Sequence, residues 1–136
     1  MKREYKLILA GFATIAVFDA ISSIASREFD LSYTYVAIIS CLIYGSFGYL
    51  GTKGSKIEKG LTIAAMAGLF DATAGWAICV FFKAKTGIVY FDFTPMNLVF
   101  TIVFDIVLAA FCGLVGGGIA MVLKKHKRTE VETYIN

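Results

Sequence analysis

Four long apolar runs divide the chain, at 7–26, 34–52, 60–82 and 96–123, and all but three of its charged residues lie between or outside them. Each run approaches or exceeds the roughly 20 residues that carry an α-helix across the hydrocarbon core of a bilayer. The runs are continuous, without strand-like alternation, so each satisfies its backbone hydrogen bonds as a helix and a β-barrel is disfavoured. The pattern predicts an all-α membrane protein, a four-transmembrane-helix bundle forming one integral domain over 1–136 with a polar tail at 124–136.

The three exceptions are acids. Val17-Phe18-Asp19-Ala20 and Leu69-Phe70-Asp71-Ala72 are near copies 52 positions apart, and Asp105 in the last run again follows a phenylalanine, Phe104. A carboxylate in hydrocarbon costs about 3 kcal/mol on insertion scales, so such residues face a bundle interior or a water-filled cavity. Measured from Arg27, Lys83 and Pro95, Asp19, Asp71 and Asp105 lie about 12, 18 and 15 Å deep at 1.5 Å per residue, at similar height. No Lys or Arg falls inside a span to neutralise them. They are the candidate ion or proton site, with the hydroxyls of Ser22, Ser23, Thr73 and Thr101 as supporting hydrogen-bonding groups. At least one of three clustered acids is expected to carry a proton.

Small residues supply a second pattern. Phe12, Ala16, Asp19, Ser22, Ser23 and Ser26 share one helical face, as do Ala64, Gly68, Asp71 and Gly75. In the second span Cys41, Gly45, Gly48 and Thr52 form a narrow stripe suited to close helix approach, and Ala109, Gly113, Gly116 and Ala120 repeat its spacing 68 residues later, beside Gly117. Together with the Phe-Asp-Ala copies, this predicts two tandem helical hairpins, about 6–54 and 56–123, related by a parallel pseudo-two-fold axis. Ser55-Lys56-Ile57-Glu58 has the form of a capping box opening the third span. Gly87 is the expected terminator of that span, Ile88–Phe93 an interfacial segment, and Thr94-Pro95 the start of the fourth span. The tail from Lys124 is expected to be mobile.

Charge sets orientation. Ten of the thirteen basic residues flank the N-terminus, the 53–59 connection and the C-terminal tail, leaving Arg27, Lys83 and Lys85 on the other side. The positive-inside rule places both termini in the cytoplasm of a cell or inner-membrane protein, with Gly87–Asp92 outside. A secretory signal also fits Lys2–Lys6, the following apolar run and Ser23-Ile24-Ala25. A retained span is preferred because Asp19 matches Asp71 and because cleavage would leave an odd number of spans.

Composition then narrows the chemistry. The chain is 58% hydrophobic and 17% charged, and its net charge of +3 comes from the flanks, with no basic patch of the kind that binds nucleic acid. Cys41, Cys79 and Cys112 occupy three different spans and His126 lies in the tail, so no metal or other cofactor is expected and the thiols read as small apolar packers. Neither a nucleophile paired with a base nor a phosphate loop is present, and an enzyme is not expected. The chain shares its span count and a first-span acid with small multidrug transporters, but those carry a glutamate and lack the later acids, so no family is assigned. The expected partners are the lipid bilayer and either further copies of the chain or a larger membrane protein. The function expected is ion- or proton-coupled transport or permeation, with an accessory membrane subunit as the alternative.

Overall fold

The computed structural model describes residues 2–29, 33–85 and 95–135, of which 33, 34 and 127–135 are described by their backbone alone. The described residues form four helices: α1 Arg3–Phe29, α2 Tyr33–Lys53, α3 Ile57–Phe81 and α4 Pro95–Ile135. All four are long and apolar enough to cross a membrane. The outward faces are apolar, with Val17 and Ile21 on α1 and Phe100, Phe104, Val107 and Phe111 on α4 exposed. Such faces suit lipid and not water, and the chain is an integral membrane protein of four helices.

The ends differ from expectation in instructive ways. Ser55 does not cap α3: its amide donates to the Thr52 carbonyl at 3.0 Å, closing a turn one position too early. Lys56 takes the flanking position in extended geometry, and no side chain caps the helix. The far end of α3 needs no glycine. Lys83 adopts a left-handed conformation (φ 55°), its amide donating to Val80 O at 3.1 Å and that of Ala84 to Cys79 O at 3.0 Å. This pair of bonds is a Schellman closure built on lysine. Gly87, the Ile88–Phe93 segment and Thr94 lie outside the described residues. Pro95 is the first residue of α4, where its missing amide is harmless. The polar tail is helical and not a separate coil: α4 runs 41 residues, about 62 Å at 1.5 Å each, well beyond a bilayer core.

Helices α2 and α3 touch each other and both remaining helices, whereas α1 and α4 do not meet among the described residues. The centre is therefore the α2–α3 pair, with α1 and α4 on its two flanks. Glycines set the closest approaches. Gly45 faces Gly116 and Gly48 faces Gly113 between α2 and α4, while Gly51 meets Gly60 between α2 and α3. A methyl added at Gly48 would lie 2.8 Å from the Gly113 carbonyl carbon, which backbone cannot accommodate. Gly68 packs on Ala109 and on the Asp105 carbonyl, and Gly117 on the Thr52 hydroxyl. The small-residue stripes of α2 and α4 are thus the two sides of one joint. The expected internal repeat is not confirmed: α3 touches α2, while among the described residues its counterpart α1 makes no such contact with α4.

Helix α1 is attached differently. Its first half packs through aromatics and aliphatics: Phe12 stacks on Phe70 with centroids 4.4 Å apart, and Ile15 joins a core with Tyr44, Ala67 and Ala109. Arg3 donates to the Leu50 carbonyl at 2.8 Å and Glu4 pairs with Lys59, tying the start of α1 to the α2–α3 connection.

Candidate ion-binding site

The second half of α1 turns a polar face inward. Asp19, Ser22, Ser23 and Ser26 are all buried, Asp19 being only 3% exposed. Opposite them, α3 widens into a single π-helical turn at Asp71–Gly75. The Trp76 amide reaches the Asp71 carbonyl five residues back, and Thr73 folds its hydroxyl onto the Leu69 and Phe70 carbonyls at 2.7 and 3.3 Å. A hydroxyl drawing on carbonyls of the preceding turn loosens the regular ladder, and such turns recur at functional sites. Here the widened turn carries both Asp71 and Gly75 toward α1.

At this level the Asp19 and Asp71 carboxyl groups lie within hydrogen-bonding reach of each other. Tyr44, projecting from α2 and itself buried, donates its phenolic hydrogen to Asp71 Oδ2. Gly75 closes the remaining space: a methyl there would press on Asp19 Oδ2 and sit 2.7 Å from Asp71 Oδ1. Asp105 on α4 is half-buried and within electrostatic range of Asp71 and of Tyr44. The three acids predicted to share one height are therefore brought to one region, Asp19 and Asp71 as a pair and Asp105 as a neighbour on the other flank.

The supporting hydroxyls divide. Ser22 and Ser23 are buried on the α1 face that carries Asp19. Thr73 and Thr101 instead bond the backbone of their own helices, Thr101 to Asn97 O at 3.0 Å. The packing glycines Gly45, Gly48, Gly113, Gly116 and Gly117 lie at the glycine joint, whereas Gly75 touches the acids and Gly68 the Asp105 backbone. Sequence reasoning missed Tyr44. The available signal was a tyrosine well inside an apolar run, where a buried hydroxyl needs a partner. It also missed that Cys41 and Cys112 approach each other across α2 and α4. Both line an apolar groove of about 650 Å³ on that face.

The chemistry of the pair follows from donor and acceptor counting. An ionised carboxylate offers acceptors only, so two in contact require a proton or a cation between them. Tyr44 supplies one donor to Asp71, while Asp19 Oδ2 and Ser23 Oγ have no partner among the described residues. The basic side chains of the described residues sit at helix ends or in α4 beyond its apolar run, and among the described residues no group of three or more His, Cys, Asp or Glu is arranged to hold a metal ion. Comparison with protein-family profiles, curated proteins and solved structures finds no match for this chain.

Proposed function

We propose that this is a small membrane transport or permeation protein, not an enzyme, in which the Asp19–Asp71 pair exchanges protons or small cations. The observation that carries this reading is the pair itself: two carboxyls from different helices meet inside an apolar bundle, and one oxygen of the more buried acid lacks a partner. Buried polar groups are ordinarily satisfied, and those that are not call for a functional or solvent explanation. Asp71 has a donor in Tyr44, but a purely structural acid would have every buried oxygen satisfied, and Asp19 Oδ2 is not. Asp105 modulates the pair electrostatically from α4. The basic flanks support, through the positive-inside rule, a reading with both termini cytoplasmic, and the large exposed apolar faces of α1 and α4 are suited to self-association.

Flux measured in proteoliposomes tests the proposal. Asp71→Asn is expected to abolish proton- or cation-dependent flux while leaving folding nearly intact, because the amide still accepts the Tyr44 hydrogen bond. Wild-type flux that survives both Asp19→Asn and Asp71→Asn overturns the site. Absence of wild-type flux across a panel of cations and small amines favours the accessory-subunit reading. A reporter fused at Asn136 checks the orientation, which an external C-terminus overturns.

A further inference from the structure

The buried face of α1 is polar on only one side of Asp19, while Tyr44 meets Asp71 from α2. Toward the Arg27 end of α1, Asp19 is followed on the same buried face by Ser23 and Ser26, 0% and 1% exposed. Ser26 Oγ donates to the Lys85 carbonyl at 2.9 Å, and Arg27 to the Phe82 carbonyl at 3.4 Å, so this row ends at the left-handed closure of α3. Toward the Arg3 end the same face becomes Ile15 and the Phe12–Phe70 stack, with no polar group. Two atoms along the polar side, Asp19 Oδ2 and Ser23 Oγ, are buried without a partner.

Resting on the reading of the pair as an exchanging site, we propose that its substrate is the proton, delivered from the Arg27–Lys85 end along Ser26 and Ser23. Ser23 lies four residues from Asp19 and three from Ser26, positions that are neighbours on a helix surface. The serine row is buried, and among the described residues no group of three or more His, Cys, Asp or Glu is arranged to hold a metal ion. Beyond the carboxyls such a seam offers a cation only serine hydroxyls, whereas hydroxyls pass a proton by reorientation. At the Arg27–Lys85 end, Ser26 turns its hydroxyl away from the Lys85 carbonyl, takes a proton from water and hands its own hydroxyl proton inward to Ser23, directly or through one water. Ser23 in turn hands its own hydroxyl proton to the carboxylate. The serines end neutral, and an ionised carboxylate of the pair becomes a carboxylic acid. Buried polar atoms without partners are where such bridging waters sit. The stacked phenylalanines close the opposite side.

Infrared spectroscopy of the purified full-length protein transferred into D₂O provides the test, because the carbonyl band of a protonated carboxyl shifts on deuteration. The band is expected in the wild type, to be lost in Asp19→Asn or Asp71→Asn, and its exchange to slow at least about tenfold in both Ser23→Ala and Ser23→Cys. Ser26→Ala, at the helix end where a fold defect is least costly, is expected to slow exchange as well. Ser46→Ala, whose hydroxyl only bonds Leu42 O, leaves the rate unchanged. No protonated-carboxyl band in the wild type overturns the reading of the pair. A band whose exchange rate ignores the Ser23 and Ser26 changes overturns the serine path alone. Exchange that depends on replacing choline by sodium overturns the assignment to protons.

Discussion

One bundle contains two kinds of helix joint. Between α2 and α4, glycines let backbone touch backbone: Gly45 with Gly116 and Gly48 with Gly113. Between α1 and α3, helices of similar length meet through carboxyls, serines and a π-helical turn, with two buried oxygens left without partners. In lipid there is no hydrophobic drive between helices, so close packing supplies the attraction in the first joint. The second gives up close packing to keep ionisable groups inside, and buried oxygens without a partner among the described residues occur at both, Thr52 Oγ1 being the one at the first. The difference teaches that the α2–α4 joint holds the fold and the α1–α3 joint holds the chemistry, and substitutions should separate the two.

The largest effect is expected at the glycine joint. Gly48→Leu places a side chain where Gly113 backbone already sits, with the added Cβ 2.5 Å from its Cα. No rotamer relieves a clash with backbone, and the cost is expected to reach about 3 kcal/mol or more. The measurement is the yield of monodisperse, helical protein after detergent extraction. Normal yield and melting behaviour would remove the distinction between the two joints.

Gly75→Ala is the corresponding change in the polar joint. Its methyl would meet carboxyl oxygens, which can swing away, and not backbone. A destabilisation of about 1–3 kcal/mol is expected, with the acid pair driven apart. The readout that distinguishes it from Gly48→Leu is a folded protein whose carboxyl band and flux are changed. Unaltered flux and carboxyl band would show that the tight pairing of Asp19 and Asp71 is not needed.

Tyr44→Phe is gentler still. It removes the donor to Asp71 without changing the ring that packs against Ile15 and Ala109. Loss of that hydrogen bond is expected to cost about 1 kcal/mol in thermal stability. Its larger consequence is on the pair, since Asp71 must then find its hydrogen-bond donor in Asp19. The carboxyl infrared band should shift, and a band at the wild-type position would mean that Tyr44 does not set the state of the pair.

What could be read beforehand follows the same division. The four spans were legible because a bilayer demands unbroken apolar runs, and the acids stood out as the exceptions within them. The stripes containing Gly45 and Gly48, and Gly113 and Gly116, were legible as close-packing surfaces, but not that they pack on each other, since spacing along one helix carries no partner. The Ser55–Glu58 capping box was misread because the turn bonding to Thr52 shifts the helix start by one residue. Tyr44 and the widened turn at Asp71 were not legible. The first is one tyrosine among seven, and the second depends on how Thr73 divides its hydroxyl between two carbonyls.

The smallest effect, at Gly118, discriminates most finely, because it lies within one Gly-Gly-Gly run. Gly116 and Gly117 face Gly45 and Thr52, whereas a Cβ at Gly118 would meet nothing within 4 Å. Composition and helix propensity are identical at the three positions, and only the neighbour differs. Alanine is favoured over glycine in a helix interior by about 1 kcal/mol, so Gly118→Ala should leave the melting temperature unchanged or slightly raised. Gly116→Ala should lower it, since the added methyl would lie 2.7 Å from the Gly45 carbonyl carbon. If both alanines behave alike, glycine serves α4 through backbone freedom along the whole run, and close approach to α2 is not what holds the bundle. If they diverge in the expected directions, the glycine requirement is assigned to individual helix contacts, and the carboxyl joint can be altered without disturbing it.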